Sequence, residues 1–250
     1  NTAGYDTSDW SGVTTGTYTG ELRSGTKATA YVSDQYELTP VAAYTYNDAE
    51  TISKTQAGND YGAVQRHEVE VTGDITLKAG DKLIVDMGQN AAGAVKFTVS
   101  GAKDTVVKLT HAEMLNDGKK NPDLDEGGSD GPEGSLYMKA ITNAEVTDRY
   151  ILSDDKEQTF FPTLTYHGYR YVQFEANADI TLKNISGKVF AGVGKQTGTI
   201  ETSDSDINQL VSNTDWSQMS NYLSIPTDCP QRGERAGWTG DAQLFAATGV

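Results

Sequence analysis

Cysteine, basic side chains and long apolar runs are all scarce in this chain. Its 250 residues include one cysteine, Cys229, which excludes an intramolecular disulfide and a metal site built from several cysteines. The chain has 20 lysines and arginines against 35 aspartates and glutamates, which gives a formal net charge of −15 at pH 7. Nucleic-acid binding requires a basic surface, so this charge argues against a nucleic-acid partner and equally against an anionic membrane surface.

The apolar runs are also too short to cross a membrane. None approaches the roughly 18 residues of a spanning helix, and no basic and apolar signal segment opens the sequence at Asn1. No membrane insertion is therefore predicted, and the polar start fits either a mature secreted protein or an excised fragment. The acidic composition, rich in threonine, asparagine and glycine, favours an extracellular or cell-surface bacterial protein over a cytoplasmic one.

Short segments in which apolar and polar residues alternate dominate the sequence from about residue 36 to residue 200. This period of two predicts half-buried strands, and the glycines and short polar runs between them predict turns. No helical spacing separates the strands, so the pattern is typical of a mainly β fold, an antiparallel β-sandwich of the jelly-roll kind. The predicted strands cover residues 68–71, 82–87, 94–99, 106–111, 149–152, 159–161, 169–174, 180–182, 188–190 and 198–200.

The period of the apolar residues changes from two to about 3.6 at Ser203. Asp204 or Ser205 can cap a helix that runs to about residue 222, and a second helix follows from Asp241. A chain of 250 residues has room for more than one domain. The predicted division is the end of a preceding β-sandwich module in residues 1–35, a β-sandwich in residues 36–202, and the start of a helical domain in residues 203–250.

One long irregular segment, residues 112–146, interrupts the strands. Its central part, residues 121–133, is acidic and rich in glycine and proline. A loop of this length is usually functional or disordered. Its alternating acids could hold Ca²⁺, but their spacing does not follow the EF-hand pattern, and a solvated loop is the alternative. No other cofactor and no other metal is predicted.

The chemistry of the chain is concentrated in residues 227–243, which read TDCPQRGERAGWTGDAQ. Three carboxylates, two arginines and a tryptophan fall within fourteen residues. Pro230 and three glycines disfavour a regular helix or strand across the segment. The sequence therefore predicts a shaped loop that arranges acids and an aromatic face around a small polar ligand.

Carboxylates beside an aromatic ring suit the chemistry of carbohydrates. Glycoside hydrolysis needs a protonated acid at the leaving oxygen and a second carboxylate that activates water or attacks directly. The alternative is that the charged residues of this loop pair with one another to hold a tight turn, and residue types alone do not decide between the two. The residues that could pair in this way are Asp228, Arg232, Arg235 and Asp241.

The remaining candidates for chemistry are one thiol and three imidazoles. Cys229 has no histidine near it in sequence, so it is predicted to be a buried structural thiol rather than a nucleophile. His67, His111 and His167 are scattered through the predicted strands, and no two stand at metal-ligand spacing. His167 has aromatic neighbours, and a hydrogen-bonded structural role is favoured for it over a catalytic one.

The segment 227–243 closely resembles the signature of the bacterial α-L-rhamnosidases of glycoside hydrolase family 78. The segments 86–93, 111–115 and 166–171 look like the β-sandwich that precedes the catalytic barrel of that family, and residues 4–10 resemble the end of its N-terminal sandwich module. The resemblance implies that the predicted helices are the first of an (α/α)6 barrel. It also implies an inverting hydrolysis of terminal non-reducing α-L-rhamnose from a glycoside or polysaccharide.

The resemblance also assigns roles by position. Glu234 matches the general acid of the family, and the residues that match its rhamnose-holding positions are Asp228, Arg232, Trp238 and Asp241. The general base of the family is a glutamate farther along the barrel, outside these 250 residues. The chain alone is therefore not expected to turn over substrate.

Two other interpretations are kept beside this one. The stretch 36–200 could be a carbohydrate-binding or structural β-sandwich module without catalysis. The chain could also come from a related barrel glycosidase that acts on another deoxysugar or a uronic acid. A uronic acid needs basic partners, and the loop offers only Arg232 and Arg235. The sequence leaves the oligomeric state open.

Overall fold

A computed structural model describes residues 6–21, 31–52, 61–120, 129–142, 144–193 and 196–249. Within these ranges the chain is mainly β, every pair of strands is antiparallel, and two α-helices lie near the C-terminal end. The predicted order, a mainly β fold followed by helices, is confirmed at this coarse level.

The regular elements follow one another in a simple order. The strands are β1 Tyr31–Leu38, β2 Ala42–Tyr46, β3 His67–Val69, β4 Ile75–Leu77, β5 Lys82–Gly101, β6 Val106–Ala112, β7 Thr147–Ile151, β8 Gln158–Phe160, β9 His167–Ala176, β10 Ile180–Ala191, β11 Tyr222–Leu223 and β12 Ile225–Pro226. The helices are α1 Ser205–Asn221 and α2 Thr239–Phe245, with short 3-10 turns at Asp48–Glu50 and Lys139–Ile141.

Strand β5, 20 residues long, is the centre of the sheet. Its first half pairs with β2 and β9 and its second half with β10 and β8, so the sheet order runs β1-β10-β5-β9-β6-β7. The sequence predicted two strands here, 82–87 and 94–99, and that division is wrong. Gly88 has a φ of +74°, and the register with β9 shifts between Asp86 and Ala91, so the strand bends without ending.

Two other strand predictions differ from the structure. The predicted strands 180–182 and 188–190 are one strand, β10, which pairs with β5 on both sides of a register shift between Lys183 and Ser186. Residues 198–200 are not a strand: this segment is exposed, and it pairs with no strand in the described ranges. The remaining predicted strands overlap observed ones.

The sheet wraps around one apolar core on its inner face. Val85 and Phe97 of β5 meet Leu109 of β6, Phe174 of β9 and Leu182 of β10 in this core, and all five are fully buried. The rings of Phe97 and Phe174 pack edge to face at 5.2 Å between centroids. A close-packed core of this kind gives the ends of β5, β6 and β9 fixed positions.

The outer face of the sheet carries a second apolar cluster, and the irregular segment 112–146 covers it. Tyr44 of β2 lies on this face, and Leu136 and Ile141 pack into the same cluster. The Tyr44 hydroxyl donates a hydrogen bond to the carbonyl oxygen of Gly134 at 2.6 Å. In the part that the structure describes, this segment is a packed cover of the sheet.

The predicted calcium site falls largely outside this cover. Residues 121–128 lie outside the described residues, so they do not test the Ca²⁺ prediction for residues 121–133. Asp130 lies inside the described part, and its Oδ2 accepts hydrogen bonds from the amides of Met138 and Lys139 at 2.9 and 2.7 Å. Calcium binding by this run stays a prediction.

Helix α1 begins where the sequence predicted. Asp204 caps it, because its carboxylate accepts a hydrogen bond from the amide two residues ahead at 2.9 Å. The helix lies against the sheet: the amide of Ala92 donates to the Ser220 hydroxyl at 3.2 Å, and Trp216 packs edge to face on Tyr36. Of the helices in the described ranges, none combines the length and apolar character needed to cross a membrane.

Candidate active site

Hydrogen bonds close residues 228–236 into a loop beyond the end of α1. The amide of Asp228 donates to the carbonyl oxygen of Ala236 at 3.1 Å, and the amide of Ala236 donates to Asp228 Oδ1 at 2.8 Å. Beside this pair, the amide and hydroxyl of Thr227 both donate to the carbonyl oxygen of Asn221. Asp228 therefore fixes the neck of the loop through both its backbone and its side chain.

The segment 227–243 was predicted to be a loop that gives way to a second helix at Asp241, and this helix is confirmed with a slightly earlier start. Helix α2 begins at Thr239, directly after Trp238 in its N-cap position. Asp241 lies in the first turn, where the helix dipole favours a carboxylate, and this compensates for the poor helix propensity of Gly240. Two of the predicted sugar-holding side chains are thus placed by a helix start rather than by a loop.

The Asp228 carboxylate is set up to act as an acceptor. Partial burial alone would raise the pKa of Asp228, but hydrogen bonds from the Cys229 thiol and the Ala236 amide outweigh it, so the pKa lies below its ordinary value. Cys229 itself is buried, as predicted for a structural thiol, and its Sγ lies 3.2 Å from Asp228 Oδ2. An ionised, partly buried carboxylate of this kind can bind sugar hydroxyls.

Arg232 connects the two acids of the loop. Its Nη2 lies 2.6 Å from Glu234 Oε2 and 3.9 Å from Asp228 Oδ2. The Arg232 and Glu234 side chains are 40% and 37% exposed, so both are open to a ligand. The interpretation in which the loop pairs its own charges included Arg232 and Asp228, which form the longer of these two contacts, but it did not include Glu234. The shorter contact fixes the direction of the Glu234 carboxylate.

A cavity of about 460 Å³ lies between α1, α2 and the loop. Asp228, Trp238 and Asp241 line it together, so three of the four predicted sugar-holding side chains surround one space. Arg232 and Glu234 are not part of its wall; they lie beside it and are connected to it through Asp228. Trp238 is 52% exposed, which leaves its ring available for stacking against a ligand.

The β-sandwich supports the back of the loop. Gly168 at the start of β9 packs so closely on it that a Cβ there would lie 2.8 Å from the amide nitrogen of Gln231 and 2.8 Å from Pro230 Cγ. Arg235, the second arginine of the loop, extends towards the sandwich and contacts Tyr166. No local sequence pattern indicates this packing against the loop, beyond the family resemblance of the segment 166–171.

The three histidines are scattered along the sequence, but the fold brings two of them into contact. The rings of His111 on β6 and His167 on β9 stack with 4.0 Å between centroids, and both are buried. His111 Nδ1 lies 3.0 Å from the carbonyl oxygen of Val146, and His167 Nε2 lies 3.1 Å from Asp148 Oδ1. These contacts agree with the structural role predicted for His167. Pairing of β6 with β9 creates the contact, which no local sequence pattern reports.

Two clusters in the described residues place potential metal ligands within 4.8 Å of one another. In the first, His111 and His167 stack with an angle of 17° between their rings. A metal ion binds imidazole nitrogen in the plane of the ring, and one ion cannot lie in the planes of two stacked rings. In the second cluster, which contains Glu234, a cation would have to displace the Arg232 guanidinium from the carboxylate. Neither geometry favours a metal centre.

Two sequence models of one enzyme family match the chain. The model described as bacterial alpha-L-rhamnosidase concanavalin-like domain matches residues 76–191. The model described as bacterial alpha-L-rhamnosidase 6 hairpin glycosidase domain matches residues 195–249, which include the candidate site. Together the two matches cover more than half of the chain.

Relatives and solved structures agree with these matches. An α-L-rhamnosidase of Streptomyces avermitilis is 39% identical over 66% of the chain, and one of Formosa agariphila is 35% identical over 71%. The crystal structure of the Streptomyces avermitilis α-L-rhamnosidase complexed with L-rhamnose superimposes with a TM-score of 0.60 at 30% identity, over 88% of this chain and 17% of that one. The chain spans only 15% and 18% of the length of the two curated relatives. It belongs to the bacterial α-L-rhamnosidase family, with residues of the concanavalin-like domain followed by residues of the 6 hairpin glycosidase domain.

Proposed function

We propose that the protein containing this chain hydrolyses terminal non-reducing α-L-rhamnose from glycosides or polysaccharides, with inversion at the anomeric carbon. The observation that carries the proposal is the shared cavity of Asp228, Trp238 and Asp241 with Glu234 beside it. It is supported by relatives that bear the name α-L-rhamnosidase and by the related structure complexed with L-rhamnose.

In this proposal each side chain of the loop has one task. Glu234 protonates the leaving oxygen, and Arg232 at 2.6 Å orients its carboxyl group. Asp228 and Asp241 accept hydrogen bonds from the rhamnose hydroxyls, while the half-exposed Trp238 ring packs against the apolar face of the sugar. In this proposal the carboxylate that activates water is a glutamate of the barrel, which the family resemblance places outside these 250 residues.

The proposed architecture follows the same family. Residues 1–35 are the end of a preceding β-sandwich module, residues 36–202 a jelly-roll-like sandwich, and residues 203–250 the opening of an (α/α)6 barrel. The assignment of a sandwich is supported by the one core that β4, β5, β6, β9 and β10 share. The assignment of a barrel is supported by helix α1, which follows these strands in the chain. The acidic composition supports an extracellular or cell-surface location.

Activity measurements on the full-length protein that carries this sequence test the proposal. Wild type should release rhamnose from an aryl α-L-rhamnoside, and NMR of the first product should show the β-anomer. Glu234→Gln should reduce kcat by about 10² to 10⁴ on a substrate whose leaving group needs a proton. Glu68→Gln, an exposed substitution on β3, is the matched control and should leave the rate unchanged. Full activity of Glu234→Gln would reject the acid assignment.

A further inference from the structure

A second cavity, of about 370 Å³, lies between α1 and the sandwich. It shares part of its wall with the first cavity: Asn213, Ser217, Asn221 and Asp228 line both. The three residues on α1 are spaced by four, so they form one edge of the helix, and Asp228 lies beyond the end of that edge. The two cavities are therefore neighbours across a single row of small polar side chains.

The sandwich supplies the opposite wall of this second cavity. Gln89 and Asn90, at the bend of β5, and Glu113, just beyond β6, line it. The Asn90 side-chain amide donates to Glu113 Oε1 at 2.8 Å, and the Gln89 side-chain amide donates to the Asn90 carbonyl oxygen at 2.8 Å. In the described part of the chain, Glu113 Oε2 and Asn90 Oδ1 have no protein partner, so both can accept hydrogen bonds from a ligand.

This wall is fixed in place rather than formed by loose surface groups. The buried hydrogen bond from the Ala92 amide to the Ser220 hydroxyl holds β5 against α1 beside the cavity. The bend that presents Gln89 and Asn90 is set by the positive φ of Gly88. A ligand therefore meets polar groups whose positions the fold determines, which reduces the entropy cost of binding.

The chemistry of the lining selects a class of ligand. Glu113 and Asp228 supply carboxylates, the asparagines and serines supply amides and hydroxyls, and Trp216 supplies an aromatic surface. Among the residues that the structure describes, no lysine or arginine lines the space. Carboxylates accept hydroxyl donors and repel anions, while an aromatic ring packs on the apolar face of a sugar. The lining suits a neutral, hydroxyl-rich ring, and the volume lies at the small end of the range for ligand sites.

We propose that the second cavity binds the neutral sugar to which the terminal rhamnose is attached, with Asn90 and Glu113 of the sandwich as its hydroxyl-binding residues. This inference rests on the proposed function, because the rhamnose must occupy the first cavity. A disaccharide unit then crosses the polar edge of α1 next to Asp228, which lines both cavities. The sandwich thereby takes part in choosing the substrate, which gives the segments 86–93 and 111–115 a role in binding.

Two substrates with different leaving groups separate this role from a structural one. Asn90→Ala and Glu113→Gln in the full-length protein should lower kcat/KM for α-L-rhamnosyl-(1→6)-D-glucose about tenfold or more, because each removes hydrogen bonds to a sugar hydroxyl. Neither should much change kcat/KM for 4-nitrophenyl α-L-rhamnoside, whose leaving group has no hydroxyls to bind in this way. Glu68→Gln is the charge-matched control and should affect neither substrate.

A matched pair of disaccharides that differ in charge tests the carboxylate of Glu113. Wild type should prefer α-L-rhamnosyl-(1→4)-D-glucose over α-L-rhamnosyl-(1→4)-D-glucuronic acid, and Glu113→Gln should narrow this preference for the neutral disaccharide because it removes one repelling charge. Equal losses on the disaccharide and the aryl rhamnoside, or no loss on the disaccharide, would overturn the second site while leaving the proposed function intact. Wild type that cleaves neither rhamnoside would reject the proposed function, and this inference with it. Thermal unfolding of each variant shows whether it is folded.

Discussion

Arg235 of the candidate loop is held by Tyr166 of the sandwich. Its Nη2 donates to the Tyr166 carbonyl oxygen at 2.9 Å, and the guanidinium lies 4.0 Å from the centre of the tyrosine ring. Arg235 also has a φ of +43°, a left-handed backbone conformation that turns the chain directly after Glu234. The side chain that anchors the loop and the backbone that directs the candidate acid therefore belong to one residue, which we assign as a positioning residue.

Arg235→Ala should misplace Glu234 without removing it. In the full-length protein, kcat should fall about 100-fold for an alkyl α-L-rhamnoside, whose leaving oxygen must be protonated. The loss should be much smaller for 2,4-dinitrophenyl α-L-rhamnoside, since that phenolate leaves without a proton. Arg235→Lys keeps the charge but not the planar fork, so it should restore only part of the rate. A uniform loss on both substrates would show general damage to the site instead of a misplaced acid.

At Gly93, β5 has a strand on each side, because Gly93 pairs with His167 of β9 and with Val189 of β10. A Cβ at this position would lie 1.9 Å from the Lys188 carbonyl oxygen, so the strands would have to separate. Gly93→Ala should therefore destabilise the sandwich by about 3 kcal/mol, measured by urea unfolding. Gly73→Ala is the control, because a Cβ there meets nothing within 4 Å, and its unfolding midpoint should stay near that of wild type.

The elements that the sequence predicted well are those with local causes. Helix α1 could be found because Asp204 caps it and the apolar period changes there, and most strands alternate along a half-buried face. The continuity of β5 could not be found, because Gly88 is equally compatible with a turn and with a bend inside a strand. Whether the chain turns or bends at Gly88 is decided by the strands that pair with β5. Those strands are distant in sequence, so no local pattern predicts the outcome.

The candidate site shows the same difference between features with local causes and features that depend on distant parts of the chain. The residue types of segment 227–243 and its resemblance to the family identified the side chains of the site. They did not predict how these side chains are arranged. Arg232 was assigned to the sugar, yet it contacts Glu234 at 2.6 Å and does not line the first cavity. That contact depends on the path of the closed loop. The part played by Asn90 and Glu113 depends on β5 and β6 meeting α1, which only the tertiary structure gives.

We expect the Tyr44 hydroxyl to hold the segment that covers the outer face of the sheet against that face, as a tether. Burial raises the pKa of Tyr44 to about 12, so the group stays a donor to the Gly134 carbonyl oxygen at any working pH. Tyr44→Phe should cost about 1–2 kcal/mol and increase proteolysis within residues 129–142. Tyr46→Phe, which loses a hydrogen bond to Gln173 of β9 instead of one to the covering segment, should destabilise without increasing cleavage there. Equal cleavage of both variants would contradict the tether.

The stacked pair of His111 and His167 should make the sandwich sensitive to acid. Burial and the neighbouring His167 ring lower the pKa of His111 to about 3, against about 6.5 in the unfolded chain. Between these values the unfolded state binds the extra proton, so stability is complete above pH 6.5 and falls as the pH decreases. Burial raises the pKa of Asp148, but its hydrogen bond with His167 and the electrostatic effects of His167 and His111 together outweigh burial, so this pKa lies below its ordinary value of 3.8. The contribution of Asp148 to stability is therefore present above pH 3.8 and is lost only as the pH falls below that value.

Going from pH 7.5 to pH 5 should therefore cost about 2 kcal/mol through His111 alone, seen as a lower urea midpoint. His111→Gln keeps an amide that can donate to the Val146 carbonyl oxygen but cannot take up a proton, so it should reduce this dependence on pH even if its stability at pH 7.5 is lower. His67→Gln is the control, because His67 is exposed and pairs with the exposed Glu50, and this variant should leave the dependence of stability on pH in place. A His111→Gln variant that loses stability with pH as steeply as wild type would assign the acid sensitivity to other groups.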